Sequence, residues 1–475
     1  MKNIKFKISN FNKYLILFIS LLFIYLFYLS IPSLYNKGRL QNDLSNKLKS
    51  EFKINFSISS DISYSILPAP HIKISDAKIF NEKSETLNEL VQIKDLKIFI
   101  SQKNLFYQKN LKIKKILINQ ANFSIKRNDF NFLNSFINKK FSTKKILIKN
   151  SNIFYKGQND EIISIFKVSN IDLFFDFKKS VNQIISKGKI FKIPFSLKWS
   201  RGFKKDKSKI TILEMSQLNL KMLNESVDKN SKYIADNKLI IGGSTLIFNY
   251  EIKDSLIVLK SNNSKLLNNN INYNGSIQLN PFDLILNIES KKFNYNKYTI
   301  ISTFFQELLK TDLLFNKNLN AKISFNSKEI SNNRLFDNLN ILLNLNNGDI
   351  NFNESYFVSS KIGKLNLYSG KIHKDNDQLV FKGKFNFDIN DQKEFNKTFQ
   401  IPRKNRLVIK NIYFDVEYSF FENEFKMISF RLNDFNKVEN NFILDLLDEY
   451  NKSNEIKNWI DLKSFINKII IIYDE

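Results

Sequence analysis

The chain contains no Cys, two His, six Pro and 11 Gly among 475 residues. Without Cys there is no disulfide framework, no thiolate zinc site and no cysteine nucleophile. The two His, His71 and His373, are too few for a multi-histidine metal centre. The Gly residues form neither G-x-G-x-x-G nor G-x-x-x-x-G-K-[ST], and G-x-S-x-G is also absent. Acidic residues are outnumbered. There are 46 Asp and Glu against 73 Lys and Arg, a net charge of +27. A polyanion partner is one reading of that excess. Yet only seven of the basic residues are Arg, the residue favoured for bidentate phosphate and base recognition. The excess is spread along the chain, and Asn, Ile and Phe abound beside Lys, as an A/T-rich coding sequence would give. Nucleic acid is therefore not expected as a partner, whereas attraction to an anionic lipid surface stays open.

Against these absences stands one long apolar run. Tyr14 to Ile31 carries no charge over 18 residues, and at 1.5 Å per residue a helix of that length spans about 27 Å. Tyr14, Leu17, Leu21, Phe27 and Ile31 are its expected lipid-facing residues. Lys2, Lys5, Lys7 and Lys13 precede it, so the positive-inside rule keeps the N-terminus cytoplasmic and sends the bulk of the chain across the membrane. The rival reading is a cleaved signal peptide. The run is too long for the usual apolar region of one, and no small-x-small pair precedes Pro32. An uncleaved anchor is expected.

From Asn36 to Phe52 a short helical pattern follows, with Leu40, Leu44 and Leu48 recurring at i, i+4. Beyond residue 50 the apolar period falls to two. It does so at Phe52 to Ile58, Ile62 to Ile66, Leu96 to Ile100, Ala121 to Ile125, Ile171 to Phe177, Ile193 to Trp199, Leu246 to Ile252, Phe282 to Ile288, Leu339 to Leu345 and Phe381 to Ile389. Strict alternation predicts antiparallel sheet with one apolar and one polar face. Helical spacing returns over Asp129 to Phe141 and Tyr298 to Lys310, and in a tail where Phe442, Leu446 and Tyr450 form one stripe and Trp459, Ile460 and Leu462 another.

So few helices cannot cover so many apolar strand faces. Two sheets could pack as sandwiches, the sheet could close as a barrel, or it could curl into a trough whose floor takes an apolar ligand. An outer-membrane barrel conflicts with the N-terminal anchor; periodicity alone leaves sandwich and trough open. Asp172, Asp176, Asp283 and Asp415 occupy polar slots of strands, and no spacing brings a carboxylate pair into one pocket. No catalytic residue, metal ligand or cofactor site is expected.

The order of features over residues 36–126 resembles the AsmA family of bacterial envelope proteins: anchor, short helix, alternating strand, then Pro-x-Pro and an apolar strand carrying an acid. Pro68, Pro70 and Asp76 sit in that motif, within Ile66-Leu67-Pro68-Ala69-Pro70-His71-Ile72-Lys73-Ile74-Ser75-Asp76. The likeness extends loosely to Trp199 and returns weakly over 339–432. It implies a mainly β fold: a long curled antiparallel sheet with an apolar groove, like that of chorein-type lipid-transfer proteins, with an N-terminal transmembrane helix and a few short helices. It also implies bacterial inner-membrane location, a periplasmic body, and a role in phospholipid transport or outer-membrane biogenesis. Expected partners are the inner membrane, phospholipids or other acyl lipids, and envelope proteins.

Five regions follow: anchor, 1–35; N-terminal β region, 36–200; middle β region with its helix near 298–310, 201–338; C-terminal β region, 339–435; and helical tail, 436–475. Phe195, Leu197 and Trp199, of one parity with Ile193, are candidates for the groove face, with Phe248 and Phe385 on distant strands. The competing expectations are a β-rich scaffold for envelope assembly that binds no lipid, and, more weakly, a hydrolase without a familiar motif.

Overall fold

A computed structural model describes residues 10–81, 88–157, 160–203, 208–229, 232–253, 256–266, 269–279, 281–294, 298–311, 313–331, 333–375, 378–433, 441–453 and 459–474. Lys2, Lys5 and Lys7 lie outside them. Among the described residues the fold is mainly β, 54% strand and 24% helix. Contacts divide the chain into two units: residues 1–214 with 225–228, and residues 215–224 with 229–475.

The first unit opens with α1 (Asn10–Ser30), then a 3-10 turn (Ile31–Leu34) and α2 (Lys37–Phe52). The stretch Phe11–Leu34 is long and apolar enough to cross a membrane, and only 6% of its most apolar window is buried in the protein. Asn36 caps α2, its side chain accepting from the Arg39 N–H at 3.0 Å. Leu40, Leu44, Leu48 and Phe52 form the buried face of α2. Phe52 ends the expected helical pattern and also begins the alternation that runs to Ile58. It fits both periods, being four residues after Leu48, and packing claims it for the helix; the strand that follows is only β1 (Phe56–Ser57).

Strands β2 (Ile62–Ser65), β3 (His71–Asn81), β4 (Asn88–Ile100) and β5 (Ile113–Lys126) are followed by α3 (Phe130–Asn138). Then come β6 (Lys145–Lys156), β7 (Ile162–Asp176), β8 (Val181–Ile190), β9 (Ile193–Gly202) and β10 (Lys209–Met215). From β3 to β10 each strand pairs with the next. Facing residues Ile72, Ile98, Ile116 and Ile146 share one face by register, and that face meets α2 in a core of Leu44, Leu48, Ile74, Ile93 and Leu96.

The expectation of a wholly antiparallel sheet needs correction: β5 and β6 run parallel. The reason is α3. A parallel neighbour needs a crossover connection, and a helix supplies it. The sheet is also kinked along a line. Asp76, Gln120 and Asn150 have φ of 54°, 55° and 47°. All three are exposed and skipped by the strand register, which carries them at one level across β3, β5 and β6. A left-handed residue in a strand leaves the ladder locally and sharpens the bend, so aligned kinks curl the sheet. Asp76 thus has a structural place, as the first residue of this line.

Strand β11 (Leu220–Lys229) has residues in both units. The second unit continues with β12 (Lys232–Ile241), β13 (Ser244–Lys253), β14 (Leu256–Ser261), β15 (Ser264–Leu266), β16 (Asn269–Leu279), β17 (Phe282–Ser290) and β18 (Phe293–Asn294). After α4 (Tyr298–Leu309) come β19 (Leu319–Ser327), β20 (Ile330–Ser331), β21 (Asn338–Asn346), β22 (Asp349–Asn351), β23 (Ser355–Ser359), β24 (Gly363–Asp375) and β25 (Gln378–Ile389). Then follow α5 (Gln392–Thr398), β26 (Asn411–Ser419), β27 (Glu424–Leu432), α6 (Asn441–Ser453) and α7 (Trp459–Asp474). Here too strands run parallel, β17 with β19 and the short β18 with β20, and α4 lies in both crossovers. Leu309 of α4 closes a core over Leu345 and Ile350. At β24–β27, α5 to α7 bring Phe395, Phe465 and Ile469 against Phe387, Ile412 and Phe430. Trp459 packs there, 5.4 Å from Phe399.

Candidate functional site

Strand register carries the buried face of the first unit onward without a break in parity. Leu173 of β7 faces Ile184 of β8, and Ile184 faces Trp199 of β9. Leu197 faces Leu213 of β10, and Ile193 faces Ile190. Ile193, Phe195, Leu197 and Trp199 therefore share the side that α2 covers farther back. Cover thins along the way. Ile72, Ile98 and Ile116 are fully buried, whereas Phe195, Leu197, Trp199 and Leu213 are only half-buried. The Phe195 ring lies over Gly188, whose missing Cβ would sit 3.2 Å from it.

Between the covered and half-open stretches lies α3. Its residues Phe132, Leu133 and Phe136 roof a cavity of about 160 Å³. Ile79, Val91, Ile118, Phe123, Ile125, Ile146, Ile148 and Leu173 form the floor, and Ile54 the side. Asp129 is the one ionisable residue in the lining; it is buried and its carboxylate accepts from the Lys126 N–H at 2.9 Å. The far end of α3 is pinned to the sheet. Asn182, fully buried, donates to the Lys139 carbonyl at 2.7 Å and accepts from the Phe141 N–H at 2.8 Å. Arg201, opposite Asn182 in the register, donates to the Asn138 side chain. Asn182 and Arg201 each also donate to the Ile137 carbonyl at 3.4 Å, one of the C-terminal helix carbonyls that lack an intrahelical partner. Phe141 extends the roof toward Trp199, 6.5 Å away, and the Lys140 ammonium sits 4.1 Å above the Phe175 ring. Burial raises the pKa of the Tyr155 phenol against the opposing pull of Arg127; its ring stacks on Phe130 at 5.9 Å.

In the second unit Phe248 and Phe385 lie on one face. Parity runs from Phe248 and Leu259 through Ile277, Leu284, Ile323, Leu343 and Leu365 to Phe385. Both are half-buried; Phe248 meets Tyr273 edge-on at 6.4 Å and Phe385 stacks on Phe414 at 5.1 Å. Near Phe248 the face turns polar. Asn224 donates to the Asn237 side chain at 2.5 Å, and Asn237 donates to the Phe248 carbonyl at 3.1 Å.

The remaining residues singled out from sequence fall elsewhere. Tyr14, Leu17, Leu21 and Phe27 are exposed along α1, and Ile31 is half-buried in the turn after it. Pro68 is exposed and Pro70 buried; the Pro70 carbonyl accepts from the Ile100 N–H at 3.0 Å. His71 is buried, stacked on Phe99 at 5.2 Å with Nδ1 2.8 Å from the Ala69 carbonyl. Among the described residues no group of three or more His, Asp or Glu could hold a metal ion. The α3 pocket was not foreseen. Its roof residues were legible as a helical stripe, but a stripe does not say that part of its apolar face meets empty space. Comparisons with protein families, with curated protein sequences and with solved structures find no match to this chain.

Proposed function

We propose that this chain is a membrane-anchored, non-catalytic lipid-binding protein of the bacterial envelope that holds acyl chains against its apolar sheet face. The reading places α1 in the inner membrane with the N-terminus cytoplasmic and the body in the periplasm, as the resemblance to the AsmA family implies. The role is phospholipid transport or outer-membrane biogenesis.

The observation that carries it is the apolar cavity beneath α3, next to strands whose apolar side chains are left half-exposed. The cavity, about 160 Å³ and partly open, is lined almost wholly by apolar side chains, and apolar area left in contact with water costs about 25 cal/mol per Å². An apolar occupant relieves that cost. A dry cavity of about 150 Å³ accepts a benzene molecule, so this one takes a short length of a single acyl chain. The rest of the chain would lie along Leu197, Trp199 and Leu213, whose incomplete cover leaves apolar area in contact with water.

A scaffold that binds no lipid is the second reading. It is favoured by the core under α5 to α7, where Phe395, Phe465 and Ile469 pack over the sheet face. The test is mass spectrometry of lipids that co-purify with the full chain in mild detergent. Near-stoichiometric acyl lipid supports the proposal, and a lipid-free protein would leave the scaffold.

A further inference from the structure

The end of α1 is clasped by the body of the first unit. Along the helix, exposure stops abruptly: Phe27 is 69% exposed and Leu29 4%. The Tyr28 hydroxyl donates to the Gln102 carbonyl at 2.8 Å, and its ring lies 5.3 Å from Phe106. Tyr64 of β2 donates to the Leu29 carbonyl at 2.6 Å, and Tyr35 donates to the Leu105 carbonyl. Lys47 of α2 donates to the carbonyls of Lys109 and Leu111, both at 2.7 Å. The β4–β5 loop is thereby held at the level where α1 changes from apolar exposure to burial.

Around that level the protein leaves large apolar side chains in the open. Phe106 is 67% exposed, Tyr107 68%, Leu67 80% and Leu34 78%. The flanking charge is mainly basic, although Asp43 of α2 accepts from the Gln108 side chain at 2.8 Å. Residues 31–41, 65–74 and 101–112 contain no Asp or Glu, and Lys37, Arg39, Lys103 and Lys109 are exposed. Apolar and aromatic side chains ringed by basic ones match the interfacial layer of an anionic bilayer.

We infer that Leu34, Leu67, Phe106 and Tyr107 form a membrane-docking surface that seats the first unit on anionic lipid headgroups where α1 emerges. The inference rests on α1 being a membrane span. The docked surface would fix the body on the bilayer instead of leaving it swinging on a tether, and so set the start of the sheet at the lipid source.

Because the chain lacks Cys, single cysteines can carry an environment-sensitive fluorophore. Four variants of the full chain suffice: Phe18→Cys in α1, Leu67→Cys, Phe106→Cys, and Lys178→Cys in the exposed turn after β7. Each is reconstituted into phosphatidylcholine–phosphatidylglycerol vesicles carrying nitroxide lipids. Docking predicts a blue shift and quenching at positions 67 and 106, strong quenching at 18, and neither at 178. Quenching at 18 with positions 67 and 106 remaining in water would overturn the docking surface and leave the anchor intact. No quenching at 18 would overturn the anchor, and the docking inference with it.

Discussion

Replacing Phe195 with Asp, beside a matched Ile98→Asp, distinguishes an open apolar face from a closed core. Both residues point to the same side of the sheet. Ile98 is fully buried; Phe195 is half-buried over Gly188. Fully burying such a side chain contributes about 1.5–3 kcal/mol; Phe195 is mostly but not fully covered, so removing it costs somewhat less, roughly 1–2.5 kcal/mol. The new carboxylate can reach water from a partly exposed site, which avoids the penalty of an unpaired buried charge. Ile98→Asp loses the full burial and strands a carboxylate among Ile72, Ile116 and their neighbours, a cost of several kcal/mol. Against a total stability of about 5–15 kcal/mol, that is enough to unfold a marginal domain. Thermal melts and limited proteolysis of the full chain in detergent should find Phe195→Asp folded and Ile98→Asp degraded. Lipid cross-linking should fall in the folded variant. If Phe195→Asp unfolds as readily as Ile98→Asp, the face around Phe195 is covered and the reasoning fails.

Leu133→Trp should fill the cavity beneath α3, reducing co-purified lipid while the melting temperature holds or rises; unchanged lipid content would place binding elsewhere. Asp76→Val puts a β-branched residue at φ 54° and should destabilise by about 1–2 kcal/mol, whereas Asp76→Gly should be nearly neutral; equal melts would remove the case for a kink line. The Tyr64 phenol is raised to about 12, by burial first and then by the Tyr35 charge. A raised folded pKa means its contribution is intact below about pH 10 and lost as pH climbs through 12. Protease sensitivity of the α1 junction should therefore rise over that window, and less so in Tyr64→Phe than in the parent chain.

Most of the strands were legible because the body obeys a period of two, and register needs only parity to put Ile193 through Trp199 on one side. Strand direction was harder. The stripe Phe130, Leu133, Phe136 and Ile137 was visible as a helix, and a strand–helix–strand order is the usual mark of a parallel crossover. Uniform alternation on both sides concealed it. The curl was expected from the family resemblance, but not its cause, since Asp76, Gln120 and Asn150 are ordinary exposed polar residues until register aligns them. The cavity depends on residues as distant as Ile54 and Leu173, and on Asn182 and Arg201 holding α3 at a particular height. No local pattern encodes that distance. The buried Asn224–Asn237 pair carried no sequence signal, because Asn is common throughout the chain.

The central claim is that acyl chains occupy the apolar face of the first unit. A photo-reactive amino acid placed at Leu133, in the roof of the cavity, and at Leu197, on the half-open face, tests it in the full chain within native membranes. The account predicts acyl-lipid adducts at both positions and none at Lys178. Lipid capture at Phe18 in α1, with none at positions 133 and 197, would contradict it.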